Sequence, residues 1–189
     1  MKDYYFSKSQ MEPDEIHRLI EHCPYNFTEE DVPNPGLLSI TYGDMTLRDT
    51  PAMRWIEKWK SEPPVALIHD PNIQNNNGHT CAMYWICNTH SELPNSLRHD
   101  PLIRDCEGNT CAMYWIMNLK REPPEWMRHS ANIQNNDGET CAMLWIMYCK
   151  SEPPESLRHS PLLRNCYGDT CAELWLEYCY SRPPEYLRT

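Results

Sequence analysis

Apolar residues recur along the chain in short segments with the spacing of one helix face. In the segment that begins at Cys81, the positions i, i+3, i+4 and i+7 are occupied by Ala82, Trp85, Ile86 and Thr89. This spacing is typical of an α-helix of roughly ten residues with one apolar face. We therefore predict a helix from Cys81 that packs on the core through this face.

The helical segment is repeated at a constant interval of 30 residues, without insertion or deletion. The rows that share this interval are Trp55, Trp85, Trp115, Trp145 and Trp175; Thr50, Thr80, Thr110, Thr140 and Thr170; Ala52, Ala82, Ala112, Ala142 and Ala172; and Pro64, Pro94, Pro124, Pro154 and Pro184. Such self-similarity predicts repeats that stack on one another. We assign residues 41–189 to five tandem 30-residue repeats in one continuous solenoid. Residues 1–40 do not match the repeat and are predicted to be a capping segment with a helix over 13–22.

Each repeat carries the signals that begin and end helices. Thr80 directly precedes its apolar segment, as an N-cap residue does. A proline pair such as Pro123 and Pro124 interrupts the helix, and proline then favours the first turn of a short second helix over residues 124–128. Gly78 lies in a polar turn that needs a positive φ. The predicted unit is therefore a turn, a helix, a proline break and a short helix, which makes the fold class all-α.

Composition and charge narrow the classes of partner. The 189 residues carry a formal net charge of −10, which disfavours phosphate backbones and anionic lipid surfaces. No apolar run approaches the ~20 residues of a membrane-spanning helix, and the start lacks the apolar region of a secretory signal. The ten cysteines mostly lie at repeat spacing in apolar segments. We expect a soluble cytoplasmic protein, which includes the cytosol of a host cell, with reduced thiols and a protein partner whose surface is basic or neutral.

Two stretches resemble the ankyrin-repeat family. The string G-H-T-C-A-M-Y-W-I from Gly78 resembles the G-x-T-P-L-H-x-A-A signature, and H-S-A-N-I-Q-N-N-D-G from His129 is similar to the segment that joins two ankyrin units. The period of 30 differs from the family's 33. In addition, the proline break replaces most of the second helix. The resemblance covers residues from about 40 to the end and implies ankyrin-like stacking.

The family resemblance also implies a function. Ankyrin repeats bind proteins through their turn tips and the exposed side of their first helices. The residues that this places on a binding surface are Asn77, His79, Asn88, Glu107, Asn109, Met117, Asn118, Asp137, Glu139, Met147, Tyr148, Tyr167, Asp169, Glu177 and Tyr178. We predict an adaptor or a stoichiometric inhibitor, of the kind that a virus, phage or intracellular pathogen aims at a host enzyme.

The sequence gives weaker support for metal binding, nucleic-acid binding and catalysis. Cys106 and Cys111, with His99 upstream, lack the C-x-x-C and H-x-x-x-H spacings of zinc sites, so neither a metal nor a cofactor is predicted. The histidine row His69, His99, His129 and His159 is expected to place cations at the ends of the second helices. The arginine row Arg98, Arg128, Arg158 and Arg188 supports the alternative of a nucleic-acid or nucleotide binder. No common catalytic motif occurs, and we predict that the protein is not an enzyme.

Overall fold

The computed structural model describes residues 49–64, 67 and 70–188 of the chain. These residues form the helices α1 (Pro51–Trp59), α2 (Cys81–Thr89), α3 (Cys111–Leu119), α4 (Cys141–Cys149) and α5 (Cys171–Cys179). Single turns of 3-10 helix lie at Asn95–Leu97, Glu125–Met127, Glu155–Leu157 and Glu185–Leu187. This part of the chain has no β-strand, which confirms the all-α class of helical repeats. The predicted cap at 1–40 and His69 lie outside the described residues.

The chain divides into two compact units, residues 1–99 and residues 100–189, which we call the first and the second unit. In the first unit, α1 packs against α2. In the second unit, α3 packs against α4, and α4 packs against α5. Each unit therefore buries its helices against their neighbours in sequence, as a stacked repeat requires.

The helices begin and end at the same positions of every repeat. In α4, for example, the backbone N–H of Met143 donates to Thr140 Oγ1 at 3.2 Å, which satisfies one free amide of the first turn. The helix ends where Lys150 adopts a left-handed conformation with φ 51° and its N–H donates to the carbonyl of Ile146. The start predicted for α2 at Cys81 and its threonine cap are confirmed.

In four of the described repeats, tryptophan anchors the first helix to the proline segment that follows it. The indole N–H of Trp145 donates to Ser151 Oγ at 3.0 Å, and that of Trp175 donates to Ser181 Oγ at 3.0 Å. In the third repeat an arginine, Arg121, stands in place of the serine. There the buried Nε1 of Trp115 has no hydrogen-bond partner.

The core is built from rows that the sequence repeats. In the second unit, Met143 and Ile146 of α4 are fully buried, and Leu157 from the following 3-10 turn is 4% exposed. Tryptophan lies in the core as predicted in four repeats, whereas Trp145 is half-buried. The short second helix predicted at 124–128 is smaller than expected. It is one 3-10 turn over Glu125–Met127, which ends where Arg128 adopts an extended conformation.

Candidate protein-binding surface

Two turn tips of the second unit are each held by a buried asparagine at their base, and Asp105 takes this position in the third. Asn135 Oδ1 accepts the backbone N–H groups of Asp137 at 3.1 Å and Glu139 at 2.8 Å. Asn165 repeats this arrangement with Tyr167 and Asp169. The tips are therefore fixed by side-chain hydrogen bonds, and the side chains they carry do not depend on flexible loops.

Consecutive tips also contact one another through the backbone. The N–H of Cys166 donates to the carbonyl of Asp137 at 2.6 Å. Gly138 makes the contact possible, because it has φ 74° and a Cβ there would lie 2.9 Å from the Cα of Asn165. The stacked tips hold Glu139 and Asp169 beside the first helices of their repeats.

The exposed side of α4 and α5 adds aromatic residues to these tips. Tyr148 is 42% exposed, and Tyr178 is half-buried one repeat further on. Partial burial raises the pKa of Tyr178, and the neighbouring Glu177, Glu139, Tyr148 and Asp169 raise it further. The phenol of Tyr178 therefore stays protonated near neutral pH.

The predicted binding residues differ in exposure. In the second unit the exposed ones are Glu107, Asp137, Tyr148, Tyr167 and Glu177. The half-buried ones in the same unit are Met117, Asn118, Glu139, Met147, Asp169 and Tyr178. In the first unit Asn77, His79 and Asn88 are half-buried. Tyr167 is 81% exposed, which makes it the most prominent side chain of the turn tips in the second unit.

Three of the asparagines predicted to bind a partner make hydrogen bonds within the fold. Asn109 is only 5% exposed, and its Oδ1 accepts from Asn135 Nδ2 at 2.9 Å, so the exposure expected for it is wrong. Asn118 Nδ2 donates to the backbone carbonyl of Tyr114 at 2.9 Å. Asn88 Nδ2 makes the same bond to the carbonyl of Tyr84 in the first unit. These bonds form only once the repeats have folded, and the repeat pattern alone does not show them.

In each unit an aspartate carboxylate accepts a hydrogen bond from a tyrosine hydroxyl, and the sequence analysis did not predict this contact. In the second unit the hydroxyl of Tyr114 donates to Asp105 Oδ2 at 2.7 Å, and Asp105 is 7% exposed. In the first unit the hydroxyl of Tyr84 donates to the buried Asp49 at 2.8 Å. The two aspartates occupy different positions of their repeats: Asp105 lies in the row of Asn135 and Asn165, whereas Asp49 does not, so the repeat pattern does not predict that both accept from a tyrosine.

Solved structures with a similar arrangement are known. The ankyrin repeat protein EF0377 aligns with a TM-score of 0.51 at 14% identity, over 90% of this chain and 97% of that one. The fold is that of ankyrin-repeat proteins. A chain in the complex of the predatory endopeptidase Bd0816 from Bdellovibrio bacteriovorus with the immunity protein Bd3460 aligns with a TM-score of 0.53 at 16% identity, over 87% of this chain and 92% of that one.

At these identities the likeness concerns the fold alone. It confirms the resemblance predicted from the Gly78 and His129 strings. No protein-family model matches the chain, and no curated protein sequence matches it significantly. Among the described residues, no helix is long and apolar enough to cross a membrane.

In these ankyrin-like repeats the histidines are neutral links rather than cations. Thr140 Oγ1 lies 2.7 Å from His159 Nε2, and Nδ1 of the same ring lies 2.6 Å from the carbonyl of Ser160. Because a carbonyl only accepts, Nδ1 carries a proton, and in the neutral ring the threonine hydroxyl then donates to Nε2. Burial lowers the pKa of His159, and the same holds for His129. The expectation of cations is wrong for these two residues.

The cysteines beside these histidines are buried thiols. Cys171 Sγ lies 3.4 Å from His159 Nε2, and burial raises the pKa of Cys171 to about 12. The nine cysteines in the described part of the chain are free, and Cys106 is exposed whereas Cys111 is buried. The described residues contain no group of three or more His, Cys, Asp or Glu side chains placed to hold a metal ion.

The arginine row is largely neutralised in the second unit. Arg128 pairs with Glu122 at 3.0 Å, and Arg158 pairs with Glu152 at 2.8 Å. Arg158 also lies 4.0 Å from the ring centroid of Tyr186. These arginines connect parts of the fold, and each of their charges lies beside a glutamate.

Proposed function

We propose that the protein binds a partner protein through the turn tips and the exposed side of the first helices, as an adaptor or a stoichiometric inhibitor. The observation that carries this proposal is a set of tyrosines whose hydroxyls do not contribute a hydrogen bond to the described part of the fold. Among the described residues, no hydrogen bond engages the hydroxyls of Tyr148, Tyr167 and Tyr178, in contrast to that of Tyr114. Tyrosine and methionine are enriched where proteins meet, and Met147 lies beside Tyr148 on α4.

Rigid support favours the same conclusion. Asn135 and Asn165 fix the tips, and Gly138 lets one tip rest on the next. Side chains on such a scaffold lose little conformational freedom on binding, so more of the contact energy appears as affinity. We further propose that binding takes place in the cytoplasm, where the free thiols of the second unit stay reduced.

The alternative of a nucleic-acid or nucleotide binder is less well supported. It depends on the arginine row, and Arg128 and Arg158 are paired with glutamates. The exposed ends of the tips add carboxylates, Asp137 and Glu107, rather than cations. A negative surface of this kind repels phosphate.

Partner capture tests the proposal. The tagged chain is compared with a Tyr148→Ser/Tyr178→Ser variant, and proteins retained from a cell extract are quantified by mass spectrometry. A Ser156→Ala/Glu155→Gln variant on the 3-10 turn is the matched control. We expect the same protein to be retained by the native chain and the control at a fixed molar ratio and lost with the tyrosine variant. Equal retention by all three chains would show that this surface is not the binding surface.

A further inference from the structure

The turn tip of the second repeat contains the only asparagine–glycine pair among the 189 residues, Asn77 and Gly78. Gly78 has φ 77°, and both residues are half-buried. Asparagine before glycine is the pair in which the side-chain amide is lost most easily, because glycine has no Cβ to hinder an attack by its backbone nitrogen. This tip is therefore the place in the chain where deamidation is chemically easiest.

The side-chain amide of Asn77 makes no hydrogen bond with the described part of the chain. The neighbouring Asn75 contrasts with it, because Asn75 Nδ2 donates to Asp49 Oδ1 at 2.7 Å and Asn75 Oδ1 accepts the N–H of His79 at 2.9 Å. The backbone N–H of Asn77 donates to Asn75 Oδ1 at 3.0 Å, whereas no hydrogen bond among the described residues engages its side chain. The amide carbon of Asn77 can therefore react without the loss of a side-chain hydrogen bond in that part of the fold.

We infer that Asn77 is a site of spontaneous deamidation. The backbone nitrogen of Gly78 gives up its proton and attacks Cγ of Asn77, which closes a succinimide ring and releases ammonia. Water then opens the ring at either of its carbonyl groups, and the product is aspartate or isoaspartate. Both products carry a negative charge that asparagine lacks. This inference is independent of the proposed function, because the reaction requires only water and no partner.

The hydrogen bonds of the turn slow the first step. The N–H of Gly78 donates to the carbonyl of Asn75 at 2.9 Å, and ring closure removes this proton and turns the nitrogen toward the side chain of Asn77. The bond from the Asn77 N–H to Asn75 Oδ1 holds the same peptide segment in place. Because the turn must open before the ring closes, the folded protein should react about tenfold more slowly than the unfolded chain.

The fourth repeat shows which product the turn can accommodate. Asp137 occupies the position of Asn77, and its N–H donates to Asn135 Oδ1 at 3.1 Å, while the N–H of Gly138 donates to the carbonyl of Asn135 at 3.0 Å. These bonds match those of the second repeat, so aspartate fits this turn. Isoaspartate adds a methylene group to the main chain between the two N–H donors, so both bonds cannot be kept. We expect the aspartate product to preserve the turn and the isoaspartate product to disrupt it.

The test incubates the full chain at mildly alkaline pH, once folded and once unfolded in urea. Samples taken over time are digested, and mass spectrometry with chromatography separates the asparagine, aspartate and isoaspartate forms of each peptide. Asn77→Gln is the matched control, because it keeps an amide but would have to close a larger and less favourable ring. Asn95, which is exposed and followed by Ser96, is the internal comparison. The melting temperature of Asn77→Asp shows how the turn tolerates the aspartate product.

We expect both samples to deamidate at Asn77, the folded one about tenfold more slowly, and the Asn77→Gln variant to keep its amide. In urea Asn77 should react faster than Asn95, and Asn77→Asp should melt at the native temperature. If Asn95 reacted first in urea, or if folded Asn77 stayed intact after the unfolded chain had reacted completely, the site would be overturned. Equal rates in the two samples would overturn the protective role of the turn.

Discussion

The unpaired indole of Trp115 gives a prediction whose size can be worked out from the structure. Its buried Nε1 has no partner, whereas the indoles of Trp145 and Trp175 each donate to a serine six residues later. Arg121 occupies that position after Trp115. The Arg121→Ser substitution should therefore supply the serine acceptor that Trp145 and Trp175 have, at a distance near 3.0 Å.

The expected gain is about 1 kcal/mol in the free energy of unfolding, because a typical internal hydrogen bond contributes ~0.5–1.5 kcal/mol and the Nε1 atom of the indole is already buried. For a chain of 189 residues this corresponds to a rise in melting temperature of about 2–4 °C. Urea unfolding followed by tryptophan fluorescence measures the first quantity, and calorimetry measures the second. Arg121→Ala is the control, since it removes the same side chain without adding an acceptor. If alanine stabilised the protein as much as serine, the gain would come from removing arginine and the reasoning would be refuted.

Three further predictions concern the second unit. Ile146→Ala should lower the free energy of unfolding by about 2–4 kcal/mol, measured with urea, because Ile146 is fully buried. Leu176 occupies the same position of the next repeat but is 56% exposed, so Leu176→Ala should cost less than about 1 kcal/mol. Gly138→Ala should lower the melting temperature more than Gly168→Ala does. Both glycines have a positive φ, but only at Gly138 would the added Cβ meet backbone atoms. Burial holds the pKa of His159 in the folded protein below 6.5. As the pH falls below ~6.5, the unfolded chain takes up a proton at this residue before the folded protein does, so stability is lost until the pH has passed the folded pKa. Stability should decline below pH ~6.5, and His159→Gln should make the decline shallower in urea titrations at several pH values.

The regular features of the fold were accessible from the sequence because each depends on residues close together in the chain. Thr80 caps the helix that begins one residue later, and Gly78 adopts the positive φ that its turn needs. Both effects act within a few residues, and the 30-residue period repeats them. The existence, order and starting points of the helices therefore follow from local rules.

The contacts between repeats were not accessible in this way. Asn109 was expected on the surface because it lies in a variable row, but its amide bonds with Asn135, 26 residues away. Trp115 shares the period of the other tryptophans, yet its indole is unpaired in the repeat where Arg121 replaces the serine that accepts from Trp145 and Trp175. Such pairings depend on how far one repeat is rotated and shifted against the next. Periodicity alone does not specify these quantities.

The tyrosines show how stability measurements can separate structural residues from binding residues before a partner is known. The hydroxyl of Tyr114 donates to the nearly buried Asp105, so Tyr114→Phe should leave that carboxylate short of a donor and cost about 1–2 kcal/mol.

Tyr148→Phe should leave the free energy of unfolding unchanged within about 0.5 kcal/mol, since its hydroxyl has no partner among the described residues. Chemical denaturation of both variants beside the native chain makes the comparison. A clear loss of stability in Tyr148→Phe would mean that this tyrosine, too, serves the fold. The tyrosine would then no longer distinguish the binding surface from the rest of the molecule. If stability is retained, Tyr148→Phe is also useful for binding measurements. The substitution keeps the aromatic ring and removes the hydroxyl, so any affinity for a ligand that remains comes from stacking and not from a hydrogen bond of the hydroxyl.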